Sequence, residues 1–174
     1  MKKQIALALF GVLGFLTLTK TGREFAAKLG ARIMQASQRG IDLIAKSEGF
    51  SATPYQDAGG WSIGYGHFLL PGERIARVTQ TEAKALLTSD IKKANDAIGR
   101  LVKVPLSQNQ HDALVSLVYN IGVGNFSAST LLKKLNEKDY AAAADQFAVW
   151  RKSKNTVIPA LVARRANERE LFLA

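Results

Sequence analysis

Two carboxylic acids and a hydroxyl stand close together in one short stretch of the chain. Glu48 ends a helix-like segment, and Asp57 and Ser62 follow in a glycine-rich segment that favours strands. Two carboxyl groups facing each other across a cleft can cleave a glycosidic bond, because one protonates the leaving oxygen while the other handles water or the developing cation. The spacing therefore makes this stretch a candidate catalytic site.

Each carboxyl also has a structural interpretation. A Glu near a helix C-terminus can be a plain surface residue, although the carbonyl ends of the helix repel an anion there. That repulsion favours the protonated carboxyl, which is the form that a general acid needs. An Asp in a strand or turn commonly caps the turn. Asp57 is therefore either a turn residue or the group that holds or activates a water beside Glu48.

The stretch resembles the active-site segment of the phage-type (T4-like) lysozymes and endolysins. In that family a Glu is followed after eight residues by Asp or Cys, after five more by Thr, and then by an Ile-Gly-Tyr-Gly-His-like run. Glu48 and Asp57 match the first spacing, and residues 62–67 match the end with Ser62 in place of Thr. Only four residues separate Asp57 from Ser62, so this turn is one residue shorter than in the family pattern.

The likeness continues in order through the rest of the chain and covers roughly residues 38 to 173. Further segments look like the central helix of the family, its Gly-rich exit, two shorter helices and the closing helix. These segments are 106–114, 120–126, 129–132, 139–147, 159–165 and 168–172.

The resemblance implies an α+β, mainly helical fold, with a small β-sheet lobe and a helical lobe joined by a long helix. It also implies a phage endolysin that lyses the host cell by hydrolysing the β-1,4 bond between N-acetylmuramic acid and N-acetylglucosamine in peptidoglycan. Glu48 would be the general acid, Asp57 would hold a water, and the Ser62 hydroxyl would orient the same water. The family mechanism inverts the anomeric carbon and needs no cofactor.

Candidate sugar-contacting residues lie at the Gly-rich end of the central helix. Asn120, Gly122 and Asn125 are expected there, because a glycine-rich helix end lets a saccharide approach closely. The same residues fit plain helix C-capping equally well. Arg164 and Arg165 either contact the peptidoglycan or pair with acids of the last helix.

Aromatic residues and one histidine surround the first stretch. Tyr65 is the main candidate for stacking on a sugar ring, and Tyr55 and Trp61 share that possibility, although one or two of the three are expected in the core. His67 is expected to make a structural hydrogen bond or ion pair rather than to act in catalysis.

Composition limits the other possibilities. The chain has 174 residues, 47% of them apolar, which suits one globular domain with an appended segment. It lacks cysteine and has only two histidines, so it has no disulfide and a zinc site is not expected. The net charge of +10 attracts polyanions such as anionic lipid or peptidoglycan. Nucleic acid is not expected as a partner, because no motif with interleaved aromatic residues occurs. We expect a monomer.

The N-terminus carries a possible membrane segment. Residues 5–19 are uncharged and follow Lys2 and Lys3, but the run is shorter than the ~20 residues of a comfortable span. It could be a cleaved signal peptide, a buried core helix, or a weak anchor of the signal-anchor-release kind that some phage endolysins carry. We favour the anchor, which predicts the host inner membrane and the periplasm as locations.

The domain organisation follows from these patterns. Residues 1–20 form the signal-anchor or signal segment, 21–37 an amphipathic helical linker, and 38–174 the lysozyme-like catalytic domain. Short strands are expected within 55–68. A capping box at 79–82 predicts a helix running to about Val102, and Ser107 with Gln110 predicts the start of a buried central helix. Pro159 is a favourable first residue for the last helix.

Two other functions stay open on the sequence alone. A lytic transglycosylase needs one acid and no positioned water and leaves an anhydro sugar, so Asp57 and Ser62 argue against it. A non-catalytic peptidoglycan-binding module would have no need of Glu48.

Overall fold

The computed structural model describes residues 34–57 and 59–174. Residues 1–20, for which we predict an anchor, and residues 21–33 of the predicted linker lie outside this part. The main elements in chain order are α1 (Gln38–Glu48), β1 (Ser51–Asp57), β2 (Gly60–Gly64), β3 (His67–Phe68), α2 (Gln80–Asp90), α3 (Lys92–Leu101), α4 (Gln108–Ile121), α5 (Val123–Ser127), α6 (Thr130–Asn136), α7 (Tyr140–Asp145), a 3₁₀ helix (Gln146–Trp150), β4 (Lys152–Ser153), β5 (Thr156–Val157) and α8 (Pro159–Leu173).

A small antiparallel sheet follows α1. Its strand order is β1-β2-β3, which confirms the short strands expected within 55–68, although β1 already starts at Ser51. In the hairpin Tyr55 pairs with Ser62, and Asp57 pairs with Gly60. Directly opposed residues of an antiparallel pair present their side chains on the same face of the sheet. This register therefore puts Tyr55, Asp57 and Ser62 on one face.

Helices α2 and α3 connect the sheet to the helical lobe. The predicted capping box is present, because Thr79 Oγ1 accepts from the Glu82 backbone N–H at 3.2 Å and Glu82 Oε2 accepts from the Thr79 N–H at 2.8 Å. The predicted single helix to about Val102 is divided at Ile91, which keeps right-handed helical angles (φ −71°, ψ −7°). The connection between the lobes is thus present as two consecutive helical segments.

Helix α4 is the centre of the helical lobe. Residues 111–118 are all buried, which confirms the buried central helix, and Ser107 with Gln110 forms the predicted capping box. Helices α1, α3 and α8 pack against it. Helix α8 begins at Pro159 as predicted. The mainly helical α+β architecture expected from the sequence is therefore confirmed.

The chain leading into α1 is fastened to the helical lobe. The Ser37 backbone N–H donates to Asp112 Oδ1 at 2.9 Å, and the Ser37 hydroxyl donates to Asp112 Oδ2. The Ala36 N–H donates to Asn95 Oδ1 at 3.1 Å. Gly40 lies so close that a Cβ there would be 2.8 Å from Asp112 Cγ. These contacts fix the start of α1 against α4, and with it the direction in which α1 carries its last residue.

Some features of the described chain were not predicted. The short helix α5 and the β4–β5 hairpin, which span only a few residues each, are among them.

Within residues 34–57 and 59–174, no helix has both the length and the apolar character that crossing a membrane requires.

A buried histidine makes the helical lobe sensitive to acid. His111 on α4 is 0% exposed, and neither of its ring nitrogens has a hydrogen-bond partner among the described residues. Burial lowers the pKa of His111 below its usual 6.5, against a smaller opposing effect of Asp112. The unfolded chain therefore takes up a proton at a higher pH than the folded chain, so the free energy of unfolding falls as the pH drops below about 6.5.

We predict that His111→Leu removes this contribution. The measurement is urea unfolding of the parent and the variant at about pH 7.5 and about pH 5, compared as the difference between the two proteins. The parent should lose stability relative to the variant on acidification. An equal loss in both proteins would contradict the assignment to His111.

Candidate active site

Glu48 is the last residue of α1. The helix ends because Gly49 adopts a left-handed φ of 76°, which glycine reaches without steric cost, while its N–H still donates to the Ala45 carbonyl at 3.1 Å. The side chain of Glu48 is 25% exposed. The helix end thus carries a carboxyl group whose side chain is mostly withdrawn from solvent.

A buried arginine holds this carboxyl from the far end of the chain. Arg164 Nη1 on α8 donates to Glu48 Oε1 at 2.7 Å, and the arginine side chain is only 6% exposed. Charge-assisted hydrogen bonds of this length are among the stronger ones in proteins. Arg164 therefore fixes one oxygen of Glu48. The sequence left Arg164 with two alternatives, contact with peptidoglycan or pairing with acids of the last helix, and gave no sign of Glu48 as its partner.

Behind Arg164 lies a second, fully buried carboxyl. Glu168 is 0% exposed, and its Oε1 accepts from Arg164 Nε at 3.2 Å, from Arg165 Nη2 at 2.8 Å and from the Ser116 hydroxyl at 2.6 Å. Arg164 Nη2 also donates to the Ser116 carbonyl at 3.3 Å. Burial raises the pKa of Glu168, while the two arginines and Ser116 lower it. The i, i+4 spacing of Arg164 and Glu168 was the sequence signal for this pair.

The sheet supplies the opposite wall of the site. Tyr55 is opposed to Ser62 and lies two residues before Asp57, so all three side chains share a face. Burial raises the pKa of Tyr55, and the negative charges of Asp57 and Glu48 raise it further. The Tyr55 hydroxyl therefore lies within electrostatic range of both predicted catalytic carboxyls. The structure brings Glu48, Tyr55 and Asp57 to one region.

Ser62 is more enclosed than a freely exposed hydroxyl. It is 2% exposed, and its two neighbours across the sheet are Tyr55 on β1 and Phe68 on β3. Ser62 lowers the pKa of Tyr55, against the larger opposing effect of burial. Any water that Ser62 orients must therefore lie beside the Tyr55 hydroxyl.

The sequence analysis did not single out Tyr119, which also faces Glu48. A Cβ placed on Gly66 would be 3.9 Å from both Glu48 Oε2 and Tyr119 Oη, so both groups lie close to this glycine. Burial raises the pKa of Tyr119, and the charge of Glu48 raises it further. The phenol therefore stays neutral and can act as a hydrogen-bond donor. Its place at the end of an apolar helix gave no sequence signal.

Tyr65, the main candidate for stacking on a sugar ring, is one of the aromatic residues that lie in the core. The residue is 7% exposed and belongs to the hydrophobic core, where its ring centroid lies 5.4 Å from that of Phe50. A ring with so little free area has no face for a sugar. We therefore correct this expectation and leave Tyr65 out of the sugar-contacting set.

The Gly-rich end of α4 shows the capping contacts that were the alternative to sugar binding. Gly122 has a φ of 84° and its N–H donates to the Val118 carbonyl at 2.9 Å. Asn125 Nδ2 donates to the Ile121 carbonyl at 2.8 Å. Asn120 is exposed at the same helix end. Gly122 and Asn125 thus have structural duties whether or not a saccharide approaches.

His67 joins β3 to α2, as expected of a structural residue. Its Nδ1 lies 3.0 Å from both carboxylate oxygens of Asp90, and its Nε2 lies 3.4 Å from Glu73 Oε2.

Among the residues that the structure describes, no group of three or more His, Cys, Asp or Glu side chains could hold a metal ion.

Comparison with known proteins agrees with this fold. The phage lysozyme family matches residues 45–168. The endolysin of Acyrthosiphon pisum secondary endosymbiont phage 1 is 44% identical over 146 residues, which are 80% of this chain and 98% of that protein. The SAR-endolysin of Enterobacteria phage P21 is 38% identical over 72% of this chain and 77% of its own.

A solved structure shows the same architecture. The muramidase domain of SpmX from Asticaccaulis excentricus superposes with a TM-score of 0.75 at 39% identity, covering 80% of this chain and 98% of that one. The mainly helical α+β fold is that of a lysozyme. The chain belongs to the phage lysozyme family.

We predict that Arg164→Gln strongly destabilises the protein. The change leaves the buried carboxyl of Glu168 with one arginine fewer, and breaking a buried ion pair from one side costs about 3–5 kcal/mol. Urea unfolding of the parent and the variant measures this cost.

The matched control is Arg169→Gln on the same helix. Arg169 makes an exposed ion pair with Asp145 at 2.8 Å, and such pairs contribute about 1 kcal/mol or less. Equal effects of the two substitutions would show that burial does not strengthen the Arg164 contacts.

Proposed function

We propose that this protein is a peptidoglycan-degrading lysozyme of phage type, which hydrolyses the β-1,4 bond between N-acetylmuramic acid and N-acetylglucosamine. The observation that carries the proposal is the placement of Glu48. It stands at the end of α1, with Oε1 fixed by Arg164 at 2.7 Å and Oε2 beside Gly66 in the turn between β2 and β3. Membership of the phage lysozyme family supports the same reaction.

Glu48 is the proposed general acid. Its Oε1 is held by Arg164, whereas Oε2 lies towards Gly66 and Tyr119, so the two oxygens are inequivalent. A glycan strand lying between α1 and the sheet would receive a proton from Glu48 on its glycosidic oxygen. The bond to the anomeric carbon then breaks as positive charge develops on the sugar ring.

Asp57 is the proposed holder of the attacking water. It is exposed at the end of β1, on the same face as Tyr55 and Ser62, so a water there can be held by the carboxylate and by a hydroxyl. Attack from the face opposite the leaving oxygen inverts the anomeric carbon. That geometry needs the wider carboxyl separation of inverting enzymes, about 6.5–9.5 Å, which leaves room for the water.

Sugar contacts are proposed at both walls of the site. Tyr55 is 36% exposed on the face that carries Asp57, so its ring can lie against a saccharide. Trp61 is more exposed but neighbours Ser62 in β2, and successive side chains in a strand point to opposite faces. Asn120 at the end of α4 offers an exposed amide. We therefore propose Tyr55 and Asn120 as contacts and place Trp61 outside the cleft.

We predict that Glu48→Gln and Asp57→Asn both abolish most of the hydrolysis of purified peptidoglycan. Loss of a general acid or base typically costs about 10²–10⁴-fold in rate. The exposed variant Glu137→Gln serves as the control and should clear cell walls like the parent. Folding of each variant is checked by circular dichroism.

Product analysis tests the reaction itself. The parent should leave a reducing N-acetylmuramic acid end, with the inverted anomer formed first. An anhydro end would identify a lytic transglycosylase instead. A Glu48→Gln variant that clears walls as well as the parent would point to a non-catalytic peptidoglycan-binding module.

We also propose an arrangement of the whole chain. Residues 1–20 act as a membrane anchor, 21–37 as a linker, and 38–174 as the catalytic domain, which would place the enzyme at the host inner membrane and in the periplasm. The uncharged run of residues 5–19 and the similarity to a SAR-endolysin support this arrangement. The positive charge of the N-terminal region also suits an anionic lipid surface.

We predict that the same intact N-terminus occurs in both the membrane and the periplasmic fractions of expressing cells. N-terminal sequencing of the two fractions measures this. Leu13→Lys places a charge inside the run and should abolish the membrane-bound fraction. A new N-terminus in the periplasm would instead identify a cleaved signal peptide.

A further inference from the structure

A line of alternating charges runs from the active site into the core. Glu48 contacts Arg164, Arg164 contacts Glu168, and Glu168 contacts Arg165. Exposure falls along this line, from 25% for the Glu48 side chain to 6% for Arg164 and 0% for Glu168. A fully buried carboxylate is expensive unless it is paired and hydrogen-bonded. Glu168 meets that condition with three donors, yet it lies too deep to touch a substrate.

Arg164 is shared between the two carboxyls. Its Nη1 is 2.7 Å from Glu48 and its Nε is 3.2 Å from Glu168, so one guanidinium has an anion on either side. Arginine keeps its charge at every working pH. What can vary is therefore how far a nearby negative charge offsets the positive charge of Arg164 at Glu48. That positive charge opposes the protonated carboxyl on which a general acid depends.

We propose that Glu168 is a positioning residue of the reaction, which holds Arg164 in place and offsets its charge so that Glu48 can act as an acid at higher pH. The proposal rests on the proposed function of Glu48 as the proton donor. Without the charge of Glu168, the positive charges of Arg164 and, at longer range, Arg165 would act on Glu48 with no such offset. The alkaline limit of activity would then move to lower pH.

Other groups also lie near Glu48. Arg165 on α8 acts on the Glu48 carboxyl at longer range. Tyr119 on α4 and Tyr55 on β1 also face this carboxyl. Asp57 is the charged residue that follows Tyr55 on β1. Burial raises the pKa of both tyrosines, so they stay neutral through the working range. Ser116, the remaining partner of Glu168, carries no charge. Helix α8 therefore contributes one positive charge in contact with Glu48, that of Arg164, and a second at longer range, that of Arg165.

The test compares Glu168→Gln with Glu168→Asp in pH profiles of kcat/KM on purified peptidoglycan. Glutamine keeps an oxygen that can accept from the Ser116 hydroxyl but loses the charge, whereas aspartate keeps the charge and loses length. We expect Glu168→Gln to move the alkaline limb to lower pH by about one unit or more. Glu168→Asp should leave the limb in place even where its rate falls, which a purely structural role does not predict.

A second variant acts in the opposite direction. Arg165→Gln removes a positive charge that contacts Glu168 at 2.8 Å, so it should move the alkaline limb to higher pH. It also keeps the proposal testable if Glu168→Gln does not fold. Glu170→Gln, on an exposed position of the same helix, is the matched control and should not move the limb.

The outcomes are distinct. Opposite shifts for Glu168→Gln and Arg165→Gln support the proposal. Unchanged limbs, or shifts in the same direction, overturn it, because Glu168 would then act only in folding or would be uncharged. A parent protein without activity on peptidoglycan would instead overturn the proposed function.

Discussion

The shared guanidinium of Arg164 is the contact on which the site depends. It joins the carboxyl at the end of α1 to the buried carboxyl of Glu168 on α8, and it reaches across the chain to do so. Removing Arg164 would take a positive partner from both carboxyls, one of which is fully buried. The first and last described helices are therefore coupled by electrostatics as well as by packing against α4, and the position of Glu48 follows from that coupling.

Helix α4 carries the polar contacts that make this coupling possible. Asp112 holds the chain that enters α1, Ser116 holds Glu168 and Arg164, and Tyr119 faces Glu48. These three residues are spaced four and three apart, so they lie along one side of the helix. A polar stripe inside an otherwise apolar helix thus runs from the N-terminal attachment of the domain to the active site. Asp112 and Ser116 each have a hydrogen-bond partner outside α4, and Tyr119 lies close to Glu48.

The two lobes carry different halves of the proposed chemistry. The helical lobe holds the proposed acid on a rigid, ion-paired support, whereas the hairpin offers Asp57 beside Tyr55 and the covered hydroxyl of Ser62. Separate supports suit an inverting reaction, because the acid and the water must lie on opposite sides of the sugar. The 3.0 Å contact of His67 Nδ1 with the Asp90 carboxylate fastens the sheet to α2. The relative position of the two halves is thereby held at more than one point.

The sequence by itself determined the local features. Both capping boxes, the Pro159 start, the buried central helix and the helix-end position of Glu48 follow from spacing within a few residues, where side chain and backbone are neighbours in any case. Only the tertiary structure decided the contacts across long separations. Arg164 meets Glu48 from 116 residues away, and Tyr65 is in the core rather than in the cleft. Periodicity fixes which face of a helix is buried, but the partner it meets depends on how the helices pack.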